Sequence, residues 1–118
     1  MADTSETTLS TEDAKIVTLA RAARARTGAP VGAAVRDLDG RTYAAAAVSL
    51  ASLEVAALDL AVAMAVSSGA QGLEAGAVLG AVPGGEVPSI DAFRDLAGPG
   101  VTVFLADASG AVVGSLSS

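Results

Sequence analysis

The most constraining feature of this sequence is a nearly continuous apolar segment from Val55 to Val66, in which Asp59 is the one charged residue. The segment is too short to span a bilayer, which takes about 20 apolar residues. A helix that is apolar all round is buried against several neighbours at once. We therefore expect a central core helix, capped by Ser49 or Ser52 and running from about Ser52 to Ser68, where Gly69 ends it.

The flanking segments predict the other elements of a single α/β domain. The order is helix, strand, strand, helix, strand, helix, strand, strand. In this order the expected ranges are 10–27, 31–36, 41–48, 52–68, 75–82, 89–97, 101–106 and 111–115. Ser10 and Ser89 are the expected N-caps of the outer helices, and Asp39-Gly40 is typical of a hairpin turn. This pattern predicts one mixed five-stranded sheet with a hairpin at each edge and parallel pairing in the middle.

Composition limits which side chains can fill the core and which classes of partner the protein can bind. The 118 residues fit one domain, with residues 1–9 as a flexible segment and 10–118 as the folded unit. Since only three residues are aromatic, aliphatic side chains must fill the core, and we expect short distances between layers. The net charge of −6 disfavours nucleic acid and membranes as partners. A chain without cysteine forms no disulfide, and we expect a cytoplasmic protein.

Several strings, in their order and spacing, resemble the small cytidine deaminases over nearly the whole chain. Residues 29–35 with Asp39-Gly40 resemble the first strand and hairpin of that family, and residues 66–70 the end of its zinc-bearing helix. Pro88 followed by residues 91–96 is similar to the second zinc loop and its helix, and residues 103–107 to the next strand. The resemblance implies a three-layer fold, a mixed five-stranded sheet with helices on both faces.

The same resemblance implies a catalytic zinc, for which this chain lacks suitable ligands. The family places a Cys or His at the start of the central helix, and the catalytic Glu two residues later. Counting back from Gly69 puts Ala56 and Leu58 at these positions, whereas counting forward from Val48 puts Leu58 and Leu60 there. The two cysteines of the second loop correspond to Ser89 and Ala92. Neither register restores a ligand or an acid, so we expect no catalytic residue, no metal site and no cofactor.

Substrate contacts differ from the family pattern as well. Ala29 stands where the resemblance implies a stacking aromatic, and Ala47 and Ser49 stand where it implies an Asn and a Glu on the ribose hydroxyls. We therefore expect weak nucleoside binding, because a buried polar substrate needs polar partners. Glu54 and Asp59 are the acids of the expected central helix, and Glu54 in its first turn would complement the helix dipole.

Three hypotheses for function follow. The first is a non-catalytic scaffold or interaction subunit that forms homo-oligomers, since the resembled family assembles as dimers or tetramers; its protein partner is unknown. The second is a cytidine deaminase-related enzyme or nucleoside-binding regulator with an atypical site. The third is another small α/β dimerisation module of the Roadblock type.

Other catalytic motifs are absent from the sequence. Without histidine there is no Ser-His-Asp triad, and residues 80–85 lack the Gly-Lys-Ser/Thr ending of a phosphate loop.

Overall fold

A computed structural model of the chain describes residues 9–80 and 88–118. Their elements follow in the order α1 (Thr11–Thr27), β1 (Val31–Asp37), β2 (Thr42–Ala46), β3 (Val48–Leu50), β4 (Leu53–Val55), α2 (Ala57–Ser67), β5 (Leu73–Gly80), α3 (Asp91–Ala97), β6 (Thr102–Ala106) and β7 (Val112–Ser117). Residues 1–8 of the predicted flexible segment 1–9, the end of the predicted strand 75–82 and most of the loop before Pro88 lie outside the described residues.

Five strands form one mixed sheet in the order β2-β1-β5-β6-β7, and β3 pairs with β4 in a separate small hairpin. The β1–β2 and β6–β7 hairpins occupy the two edges, as predicted. The middle strand β5 pairs parallel with β6, with Val78 opposite Leu105, but antiparallel with β1. Parallel pairing in the middle is therefore confirmed on one side of β5 only.

The helices cover both faces of this sheet. On one face α1 buries Ile16, Val17 and Ala20 against alanines of β1 and β5. On the other face α2 and α3 bury an aliphatic cluster that includes Leu58, Val62 and Phe93. The predicted three-layer architecture is confirmed, and Leu58 and Val62 lie in the core with exposed fractions of 3% and 5%.

The layers approach one another closely, as the alanine-rich composition predicts. A Cβ atom at Gly32 of β1 would collide with the carbonyl oxygen of Ala20, so the backbone of α1 lies directly on the sheet. On the opposite face, a Cβ at Gly76 of β5 would stand 2.6 Å from the ring of Phe93. Small residues at these two positions therefore set the spacing of both helical layers.

The predicted ends of α1 are confirmed. The Ser10 hydroxyl accepts a hydrogen bond from the Asp13 amide at 3.0 Å, which satisfies one of the free amides of the first turn. Gly28 ends the helix in the left-handed conformation, with φ of 73°. None of the helices in the described part of the chain has the length and hydropathy needed to cross a bilayer.

The predicted start of the central helix is wrong. Residues 48–55 form the β3–β4 hairpin, and α2 begins only at Ala57 with Ala56 as its N-cap. Ser49 therefore caps no helix, and Glu54 lies on β4 rather than in a first helical turn. Val48-Ser49-Leu50 and Leu53-Glu54-Val55 are each too short for a periodicity of two to stand out beside the apolar run that follows.

Candidate functional site

A small apolar cavity lies at the N-terminal end of α2, where that helix meets β1, β5 and the segment before α3. Its volume is about 180 Å³, and it is partly open to solvent. Apolar side chains form nearly all of its surface. The lining residues are Val31, Ala47, Ala56, Ala57, Leu58, Val78, Pro88 and Ser89.

Four of the seven residues that the resemblance assigns to the pocket line this one cavity, namely Ala47, Ala56, Leu58 and Ser89. The fold thus brings together positions from three separate parts of the chain. The other three are not among the lining residues. Ala92 lies on α3 and packs against the core beneath α2, Ser49 is exposed on β3, and Ala29 precedes β1.

The position of α2 distinguishes the two registers counted along the sequence. Ala56 and Leu58 face the cavity that contains Ser89, whereas Leu60 lines a different surface groove beside Tyr43 and Met64. In the first register the ligand position is the N-cap of α2 and the acid position lies in its first turn. The geometry therefore favours the register counted back from Gly69.

The residues of the cavity do not fit a zinc ion. Catalytic zinc sites take three protein ligands from thiolate, imidazole or carboxylate groups. The cavity offers one side-chain heteroatom, the Ser89 hydroxyl, which accepts a long hydrogen bond of 3.4 Å from the Asp91 amide. Within residues 9–80 and 88–118, no three His, Cys, Asp or Glu side chains lie close enough to hold a metal.

Ser89 does not act as the N-cap predicted for α3. The N-cap is Ile90, whose side chain makes no capping hydrogen bond, while the Ser89 hydroxyl contacts the Asp91 amide from one residue earlier. The two acids of the expected central helix also separate: the Glu54 carboxylate accepts a hydrogen bond from Ser49 across the β3–β4 hairpin, and Asp59 lies in the first turn of α2.

A buried polar group that the sequence patterns did not predict lies at the far end of β1. Asp37 is 2% exposed, and its carboxylate accepts hydrogen bonds from the amides of Asp39 and Arg41, both at 2.9 Å, and from the Tyr43 hydroxyl at 2.8 Å. We call these four residues the Asp37 cluster. An aspartate two residues before Asp-Gly is a signal for this turn, because its side chain bonds to backbone amides that follow it.

Hydrogen bonding sets the direction in which the pKa values of Asp37 and Tyr43 shift. Burial acts to raise the pKa of Asp37, but the Tyr43 hydroxyl and the two amides outweigh it and hold that pKa below its ordinary value. The same hydrogen bond raises the pKa of Tyr43, because it favours the protonated phenol beside a carboxylate. The Asp37 cluster thus contains a charged aspartate and a neutral tyrosine, as is typical of a hydrogen-bond network with a structural role.

A second polar contact joins α1 to the sheet. The Arg36 guanidinium donates to Glu74 of β5 at 2.6 Å and to Asp13 of α1 at 3.1 Å. Burial acts to lower the pKa of Arg36, but these two carboxylates raise it above its ordinary value. Since both ends of the contact lie on secondary-structure elements outside the cavity, its role is to fix α1 on the sheet.

Comparisons with known proteins agree with this architecture. A family model described as cytidine deaminase-like matches residues 9–110. A cytidine deaminase from Burkholderia pseudomallei has a similar structure, with a TM-score of 0.71 and 28% identity over 87% of this chain and 90% of that one. For a cytidine deaminase from Mycobacterium leprae the TM-score is 0.66 at 21% identity, with the same coverage, and this likeness bears on the fold alone. No curated protein matches.

Proposed function

The chain belongs to the cytidine deaminase-like family, and we propose that it is a non-catalytic member that acts as a homo-oligomeric scaffold or interaction subunit. One observation carries the proposal. The cavity at the start of α2 presents Ala56, Leu58 and Ser89 where the resemblance implies a zinc ligand, the catalytic glutamate and a second ligand.

Deamination by this family needs groups that the cavity does not offer. A zinc ion lowers the pKa of its bound water to give hydroxide near neutral pH, and a glutamate moves the proton to the leaving amine. A methyl, an isobutyl and a hydroxymethyl group can do neither. No residue of the described cavity can replace them, because Ser89 provides its one side-chain heteroatom and no side chain there is titratable.

Nucleoside binding is disfavoured for a related reason. A nucleoside carries hydroxyl and amine groups, and burying such groups without partners costs about 1–3 kcal/mol each. Ala47 lies in the cavity where the resemblance implies a ribose contact, and Ser49 lies exposed on β3. The proposal therefore includes the loss of nucleoside recognition together with the loss of catalysis.

The outer face of α2 supports the second half of the proposal, a contact between copies of this chain. Met64 and Val66 are 38% and 54% exposed, and a shallow groove runs beside Met64 between Leu60 and Tyr43. After Asp59, α2 carries no charged residue that would repel an identical helix. A twofold axis at this face would cover equal apolar patches on both copies.

Because the chain lacks cysteine, a cytoplasmic location is also part of the proposal.

Activity measurements test the catalytic half. Purified protein incubated with cytidine or deoxycytidine, with and without added zinc, should cause no change in the ultraviolet absorbance of the amine-bearing base. An active cytidine deaminase assayed in parallel controls for the conditions. Turnover above that of heat-denatured protein would contradict the proposal.

Light scattering tests the oligomer. We expect a mass of two or four chains, and Met64→Glu should reduce it to one chain without unfolding, because Met64 is exposed and outside the core. Val113→Glu, at a residue 70% exposed on β7, is the matched control and should leave the mass unchanged. A single-chain mass for the unmodified protein at all concentrations would reject the oligomer. Val62→Glu is unsuitable for this purpose because Val62 is buried, so the charge would unfold the chain.

A further inference from the structure

The cavity at the start of α2 is suited to a ligand quite different from a nucleoside. We propose that it binds a small, uncharged, apolar molecule of about the size of a benzene ring. This inference rests on the proposed function, because it assumes that zinc and nucleoside no longer occupy the site.

Size sets the first limit on the ligand. The cavity measures about 180 Å³. An engineered apolar cavity of about 150 Å³ in another protein stays dry and binds benzene or xenon. A six-carbon ring with one or two further carbon atoms is therefore of a suitable size for this cavity.

The chemistry of the lining sets the second limit. Water in a buried site needs two to four polar partners. Here Ala56, Ala57, Leu58 and Val78 present only carbon from their side chains, so the Ser89 hydroxyl is the one side-chain group of the lining that could hydrogen-bond a water. Transfer of an apolar molecule from water into such a site is favourable, whereas a charged or strongly polar ligand would lose its hydration without compensation.

Rigid neighbours keep the cavity from collapsing. Val78 lies on the middle strand β5, which pairs with strands on both sides, and Ala57 and Leu58 form the first turn of α2. The Ala47 amide donates to the Val31 carbonyl at 3.0 Å and fixes the wall between β2 and β3. The opening to solvent gives a ligand a path of entry.

Benzene is the probe for this site. In nuclear magnetic resonance spectra of the ¹⁵N-labelled chain, benzene should shift the amide signals of residues around the cavity saturably, and it should raise the melting temperature. Ala47→Leu adds three carbon atoms at the wall and should weaken binding by at least about tenfold. Ala25→Leu makes the same change at an exposed position of α1 and should leave binding unchanged.

Three results would overturn the inference. They are the absence of saturable shifts up to the solubility limit of benzene, equal binding to Ala47→Leu, and shifts that centre on the α2 outer groove instead of the cavity. Cytidine is titrated in parallel to separate the two claims. Saturable cytidine binding at the cavity would contradict the proposed function, whereas failure of benzene alone would leave the proposed function intact.

Discussion

The cavity at the start of α2 and the Asp37 cluster both adjoin β1 but differ in polarity. At one end Val31 contributes to a cavity with one side-chain heteroatom, and at the other Asp37 is buried with three hydrogen bonds to its carboxylate. The difference shows that this domain can bury and satisfy a charged group where the fold needs one. The apolar character of the cavity is therefore a local property of that site.

The two regions also differ in how many secondary-structure elements contribute to them. In the Asp37 cluster every donor that approaches the carboxylate belongs to the same hairpin, so the network follows from the β1–β2 turn itself. The cavity is assembled from β1, β5, α2 and the segment before α3, and its chemistry depends on side chains that these elements bring together. Substitution should therefore change metal or ligand binding at the cavity and stability at the Asp37 cluster.

Rebuilding a zinc site in the cavity should have the largest effect. In the triple variant Ala56→Cys, Ser89→Cys and Ala92→Cys, the thiolates occupy the three positions that the resemblance assigns to the metal ligands, two of them lining the cavity and the third on α3. We expect the variant to hold about one zinc per chain, since three protein ligands and a water complete such a site. Atomic absorption after dialysis measures the zinc, and cobalt substitution would reveal tetrahedral thiolate bands.

The shifted register supplies the matched control for this variant. Leu58→Cys with Ser89→Cys and Ala92→Cys has the same number of cysteines but moves one of them two residues along α2. This control should bind zinc more weakly. Equal or tighter binding by the control, or no zinc in the folded triple variant, would refute the register favoured by the structure.

Removing the buried carboxylate should have the next largest effect. Asp37→Ala leaves two amides and the Tyr43 hydroxyl without their partner, and we expect the melting temperature to fall by roughly 10 °C. Ser89→Ala removes the one side-chain heteroatom of the cavity and should change it by no more than about 2 °C. Thermal unfolding followed by circular dichroism compares the two. An equal fall in melting temperature in both variants would contradict the predicted difference between the cavity and the Asp37 cluster.

Acid should destabilise the chain partly through Asp37. Because its pKa is lower in the folded chain, the unfolded chain binds more protons, and the stability gained above the unfolded pKa of about 4 is lost as the pH falls through the folded pKa. Asp107 acts in the same direction, since hydrogen bonds from Ser109 and the Ala111 amide lower its pKa. In Asp37→Asn the loss of stability below about pH 4 should be less steep.

A second variant, which also loses one negative charge, controls for a general effect of charge on the dependence of stability on pH. Asp95→Asn removes one negative charge at an exposed position of α3, outside the Asp37 cluster. Its melting temperature should depend on acid pH as that of the unmodified chain does. If both variants lose the same part of the acid dependence, a general charge effect replaces the specific role assigned to Asp37.

Sequence patterns predicted the architecture well because they concern whole elements. Caps such as Ser10 and Gly28, the Asp39-Gly40 turn and the apolar segment after Val55 each act over a few neighbouring residues, and the resulting elements assemble into the expected three layers. The start of α2 was missed because two three-residue strands precede it. Their pairing, Val48 with Val55 and Ser49 with Glu54, depends on tertiary contacts and leaves little local signal.

The site was predictable only in part, for a related reason. The positions Ala47, Ala56, Leu58 and Ser89 followed from the resemblance, but their convergence on one cavity is a property of the assembled layers. Ala29, Ser49 and Ala92 are not among the residues that line this cavity, and their assignment to the pocket stays a prediction. The alternative registers at α2 could be compared only once Leu60 was placed at a different surface groove.

The zinc content of the unmodified protein tests the central claim most directly. The chain is purified without chelator, incubated with excess zinc, dialysed and analysed for metal per folded chain. We expect no stoichiometric zinc, because the cavity provides one hydroxyl where a metal site needs three ligands. About one tightly held zinc per chain, with Ser89→Ala or a substitution at Ala56 reducing it, would contradict the account.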